Sequence, residues 1–107
     1  MKKILLTMTA LAALAGCQAQ ERIQFDGKYF RTKASRVDRQ HREDFTVTVR
    51  NVSQSFEGAR EAGRYEGTRY CVNNFGSSDI AWAVGPDTPG QLQVVNDKLI
   101  FRGTCTY

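Results

Sequence analysis

Cys17, Cys71, Cys105, His41 and a run of cations interleaved with aromatics are the residues of this 107-residue chain with the types for chemistry. His41 stands near Asp38 and Asp44 in sequence, and a histidine beside carboxylates can serve as a general base or a metal ligand. A metal site needs several clustered ligands, however, and one histidine in a charged stretch reads as a solvated loop residue. Cys71 and Cys105 lack the short Cys-x-x-Cys spacing of a redox-active pair. Nucleophile-elbow, zinc-protease and phosphate-binding glycine motifs are absent from the sequence. The expectation is a protein that is not an enzyme, with no catalytic residues, no metal and no cofactor.

The cations are more suggestive. Lys28, Arg31, Lys33 and Arg36, continued by Arg39 and Arg42, alternate with Tyr29 and Phe30. Such a cluster could attract anionic lipid headgroups, glycan phosphates or an acidic protein. Asp26, Asp38, Glu43 and Asp44 interrupt it, and the competing reading is a solvated hairpin face whose charges discourage edge-to-edge pairing.

The N-terminus is an address. Met1-Lys2-Lys3 precede an apolar run from Ile4 to Leu14, broken only by Thr7 and Thr9, and small residues then lead to Cys17. Eleven helical residues rise only about 17 Å, short of the roughly 20 residues that span a bilayer core. The tetrad Leu14-Ala15-Gly16-Cys17 resembles the lipobox of bacterial lipoproteins. The resemblance covers about the first seventeen residues. It implies a diacylglyceryl thioether on Cys17, cleavage between Gly16 and Cys17, and commonly acylation, such as palmitate, of the new amino terminus. Small residues suit this step because a peptidase must accept extended backbone beside a lipid-bearing side chain. One acyl chain binds a membrane only marginally, whereas two or more anchor stably. Gln18 rather than aspartate follows the cysteine, which by the same resemblance favours the periplasmic face of the outer membrane.

Removing residues 1–16 leaves 91, enough for one small domain. Lys2 and Lys3 leave with the signal, so the net charge falls from +4 to +2. Nucleic acid is not an expected partner for such an envelope protein. With Cys17 assigned to lipid, Cys71 and Cys105 remain as an even pair in an oxidising compartment, and a single structural disulfide follows. A domain of this size needs that reinforcement.

The chain then divides into a lipidated tether at 17–24 and a folded domain at 25–107. Alternation predicts a strand over Lys28 to Ser35, a charged loop over Arg36 to Glu43, and a second strand over Asp44 to Val52. Ser55 as N-cap and Gly76 as the left-handed C′ residue bracket a helix from Phe56 to about Asn74. Within it Ala59, Gly63, Gly67 and Cys71 recur every four residues, a row of small side chains that lets a helix lie close on a sheet. Glu57, Arg60, Glu61 and Arg64 read as a solvated face with i,i+3 pairs. Ser78 to Gly85 places Ile80, Trp82 and Val84 on one side of a strand and Ala81 and Ala83 on the other, and either side could face the glycines. A terminal hairpin, Leu92–Val95 with Lys98–Arg102 across Asn96-Asp97, completes the pattern. The fold class is α+β: one helix packed on an antiparallel sheet of about four to five strands, with one disulfide.

The function this supports is a membrane-anchored, non-enzymatic lipoprotein that binds an envelope protein or serves as an accessory component. The alternative is a binding module for anionic lipid or glycan through the basic hairpin, Lys28, Arg31, Lys33 and Arg36.

Overall fold

Period-two alternation and one bracketed helix produce a two-layer fold, seen in a computed structural model that describes residues 23–88 and 92–107. The signal segment, the lipobox, Cys17 and most of the tether lie outside the described residues, as does the end of the Pro86-to-Gly90 loop. In chain order the elements are β1 (Gln24–Phe25), β2 (Lys28–Tyr29), β3 (Thr32–Asp38), β4 (His41–Arg50), a 3₁₀ turn (Val52–Gln54), α1 (Phe56–Phe75), β5 (Ile80–Val84) and β6 (Lys98–Cys105). Strands β1 and β2 form a small hairpin, and the other four form an antiparallel sheet in the order β3-β4-β6-β5.

The helix forms where its end signals place it. Ser55 caps it, its side chain accepting from the Gly58 N–H at 2.9 Å, while Gly76 ends it at φ 71°. A cap of this kind contributes about 1 kcal/mol. Ser55 Oγ also donates to Asp26 Oδ2 at 2.6 Å, bringing a carboxylate to the positive end of the helix dipole and tying the β1–β2 turn to α1.

The small-residue row faces the sheet as its spacing requires. Ala59, Gly63, Gly67 and Cys71 are all buried. A Cβ at Gly67 would stand 2.6 Å from the Trp82 ring, and one at Gly63 would overlap the Phe101 ring. The sheet answers with Phe45, Val47 and Val49 of β4 and Leu99, Phe101 and Cys105 of β6, all 2 % exposed or less. Trp82 lies between Gly67 on the helix and Gly103 on β6, with Phe45 and Phe101 meeting it edge-on at centroid distances of 5.6 and 5.9 Å. The bulky side of β5 is therefore the inward one. Cys71 and Cys105 form a disulfide with a Cα–Cα distance of 5.5 Å, fixing the last turns of α1 to the end of a central strand.

Three expectations are corrected. Residues 36–43 are not a loop: β3 and β4 continue through them to a two-residue turn at Arg39-Gln40, with Asp38 opposite His41. The first strand is interrupted, Lys28–Tyr29 pairing with β1 and Thr32 onward with β4. Leu92–Val95 is not a strand. Asn96 and Asp97, at φ 53° and 60°, make the left-handed two-residue turn that such a dipeptide favours, but only Val95 bridges back to Lys98. Strands β4 and β5 already occupy both edges of β6, so the preceding residues have no ladder to join. Asp97 instead serves the helix entrance, accepting from Ser53 N at 2.7 Å and Ser53 Oγ at 3.2 Å.

Candidate functional site

Because side chains alternate across a sheet, the register that sends Phe45, Val47 and Val49 under the helix sends Asp44, Thr46, Thr48 and Arg50 to the opposite face. Pairing aligns Lys33 with Thr48, Ser35 with Thr46, Arg102 with Thr46, Ile100 with Thr48 and Lys98 with Arg50. The outer face thus carries four cations, Lys33, Arg50, Lys98 and Arg102, around a centre of hydroxyls and Ile100. Among the described residues nothing covers this face, and Ile100 is 53 % exposed. None of the four cations makes an ion pair among the described residues. The one carboxylate in the set, Asp44, accepts a 2.7 Å hydrogen bond from Thr104 Oγ1.

A second concavity lies in the helix layer. Side chains at positions 62, 65, 66 and 69 form one stripe of α1, and with β1, β2 and the start of β3 they enclose an open groove of about 660 Å³. Phe25, Tyr29, Phe30 and Tyr65 supply aromatic walls, and Arg31 and Arg69 supply charge. Phe25 and Tyr65 meet at 5.7 Å. Glu66 Oε1 accepts from both Thr32 Oγ1 and Arg69 Nη1, each at 3.3 Å.

The sequence-predicted residues separate between these places. Lys33 belongs to the outer sheet face, whereas Arg36, paired with Phe45, has the helix-side parity on the exposed edge strand β3. Arg31 lines the groove and Lys28 lies in the small hairpin. Lys28, Arg31, Lys33 and Arg36 therefore do not make one patch. His41 sits on β4, not in a loop, with Nδ1 3.7 Å from Glu43 Oε2 and 59 % of its side chain exposed. The described residues contain no cluster of three or more His, Cys, Asp or Glu with metal-binding geometry. Tyr65, Arg69, Arg50, Lys98 and Arg102 were not legible as site residues, because only the tertiary register gathers them.

The charged helix face holds the expected pairs, Glu57 with Arg60 at 3.0 Å and Glu61 with Arg64 at 3.1 Å. It does more than meet solvent. Arg64 forks onto Asp87 at 2.7 and 2.9 Å, and Arg60 Nε donates to the Pro86 carbonyl at 2.8 Å, clamping the segment after β5 onto α1. The Arg64 hydrogen bonds hold the Asp87 carboxyl below its usual range, and Asp87 and Glu61 hold the Arg64 guanidinium firmly charged. A carboxylate depressed in the folded state adds stability that is fully present above its unfolded pKa of about 3.9 and is lost as pH falls through the folded value. Wild-type protein is expected to lose stability more steeply than Asp87→Asn below about pH 4. Denaturant midpoints measured from pH 5 down to pH 2.5 test this, and parallel acid limbs would refute it. Asp87 is 71 % exposed, so the effect is small.

Residues 1–18 match the prokaryotic membrane lipoprotein lipid attachment site. The chain carries a lipoprotein anchor site. It is thus a membrane-anchored lipoprotein of the cell envelope. No curated protein matches the chain, and no solved structure matches it. No helix among the described residues is long and apolar enough to cross a membrane.

Proposed function

We propose that this lipoprotein is a non-enzymatic accessory component of the envelope that binds an acidic protein surface through the outer face of its sheet. The observation that carries this reading is the convergence of Lys33, Arg50, Lys98 and Arg102 around exposed Ile100 on a face that no described element covers. An exposed isoleucine set among hydroxyls and ringed by cations that make no ion pair among the described residues suits a polar protein interface, in which charge gives orientation and encounter rate. Edge strand β5 carries a one-residue bulge between Trp82 and Val84, whereas the register shift beside Arg36 and Asp38 places its extra residues on β4. The bulge on β5 and the exposed Lys33 and Arg36 on β3 oppose strand addition at the two edges, so recognition falls to the face instead. Gln18 beside the lipidated cysteine favours the periplasmic face of the outer membrane as the place of action.

The test is site-specific photocrosslinking in intact cells. A photoreactive residue at Thr48 or Ile100 is expected to give a discrete protein adduct, and one at Val72, exposed on α1, is not. The adduct should disappear in the Arg50→Glu/Arg102→Glu variant. Failure to form an adduct at either sheet position, equal adducts from Val72, or persistence after charge reversal overturns the reading.

A further inference from the structure

We infer that the groove between α1 and the β1–β2 hairpin is a seat for the anionic phospholipid headgroups of the membrane that holds the Cys17 anchor. This inference is independent of the protein partner proposed for the sheet face.

Position is the first ground. Ile23 lines the groove, and only five residues separate it from Cys17. Six residue steps span at most about 22 Å when fully extended. The lipid on Cys17 lies in the bilayer, so the groove is held within about that distance of the headgroup layer whatever path the tether takes. The groove begins where the tether meets the domain, at Ile23, and it opens on the helix layer, whereas the proposed protein-binding face belongs to the other layer.

Chemistry is the second. Tyrosine is enriched at membrane interfaces because its ring tolerates the acyl boundary while its hydroxyl stays hydrated. Tyr29 and Tyr65, each 43 % exposed, stand beside Ile23 at 39 %, with the rings of Phe25 and Phe30 more deeply set.

Charge is the third. Arg31 makes no ion pair among the described residues, and its planar guanidinium matches a phosphate with two parallel hydrogen bonds. Arg69 is held beside it only by 3.3 Å contact with Glu66, whose accepting oxygen is shared with Thr32. Arg69 therefore retains donors for a second acceptor. Two arginines against Glu66 leave the groove lining net positive, which favours an anionic headgroup over a zwitterionic one, and basic residues near an anionic leaflet gain from its surface potential. The roughly 660 Å³ of the groove falls in the range of small-molecule sites, with room for a glycerophosphate headgroup.

The test uses full-length lipidated protein in nanodiscs doped with a gadolinium-chelating lipid, read by paramagnetic broadening of backbone amides. In discs containing phosphatidylglycerol, amides of Tyr29, Phe30, Tyr65 and Arg69 are expected to broaden more than those of Thr48 and Ile100, and the contrast should shrink in pure phosphatidylcholine. Arg31→Glu/Arg69→Glu should abolish the contrast. Arg31→Glu alone, at a side chain with no described hydrogen bond to the fold, should weaken it while the unaffected amide shifts show an intact domain. Uniform broadening, strongest broadening at Thr48 and Ile100, indifference to phosphatidylglycerol, or a contrast surviving both variants overturns the inference.

Discussion

Replacing Cys71 and Cys105 with alanine is expected to lower the free energy of unfolding by about 3 to 4 kcal/mol, on the loop-entropy account of a disulfide. The bond closes a sequence separation of 34 residues, and its removal restores that much conformational freedom to the unfolded chain. In the folded state no polar atom is left unpaired, but both half-cystines are buried, at 0 % and 2 % exposure, and alanine leaves the space of two sulfurs empty, which adds a smaller packing loss. The loss is large against the roughly 5 to 10 kcal/mol a domain of this length can be expected to hold. Urea denaturation of the variant beside the oxidised wild type measures it, with reduced wild type as a second comparison. A shift below about 1 kcal/mol would mean that the unfolded chain is already constrained in this region. The dependence ties fold to address. A lipid-anchored domain matured in an oxidising compartment can rely on this bond, whereas the same sequence kept reduced would hold its helix by packing and side-chain hydrogen bonds without a covalent tie.

The helix was readable because its signals are local. Ser55 accepts from the Gly58 N–H, Gly76 takes the left-handed conformation, and the four-residue row of small side chains has only one use on a helix, which is close approach. The buried alternation of Phe45, Val47 and Val49 was equally plain. The strand ends around Arg39-Gln40 were not. There the hairpin runs beyond the helix with neither face buried, so the residues carry no apolar partner to mark the period and their polarity reads as a loop. Leu92–Val95 failed for the opposite reason. Its composition suits a strand, but the position beside β6 is taken by β4 on one edge and β5 on the other, a fact of sheet order that no local pattern encodes.

The same division governs the candidate sites. Thr46, Thr48 and Arg50 could be placed on one face of β4 from alternation alone, but their meeting with Lys98, Ile100 and Arg102 depends on the β4–β6 register. The groove joins residues near position 30 to residues near 65 across two elements. Tyr65 and Arg69, viewed along the helix, resemble an ordinary solvent side. The basic run was visible as a run, and the pleat then dealt its members to different surfaces, which is why counting cations along a strand overstates any single patch.

Phe101→Ala is expected to cost about 3 to 5 kcal/mol, the range for removing a large buried aromatic. Phe101 is fully buried on a central strand, meets Trp82 edge-on, and lies directly under Gly63 of the helix. That last contact makes the prediction sharper than a core truncation. A Cβ at Gly63 would stand 2.6 Å from Phe101 Cδ2 and 3.2 Å from Val49 Cγ2, so Gly63→Leu must displace the ring or lift the helix. Overpacking of this kind costs about 1 to 3 kcal/mol, occasionally more, which outweighs the roughly 1 kcal/mol of helix propensity gained on replacing glycine. In the double variant the leucine occupies the space the ring vacated. The two substitutions should then cost less together than their sum, by about 1 kcal/mol or more, as expected for residues that share one volume. Strict additivity in equilibrium unfolding would show that Gly63 does not sit over Phe101, and that the small-residue row seats the helix on the sheet by some other contact.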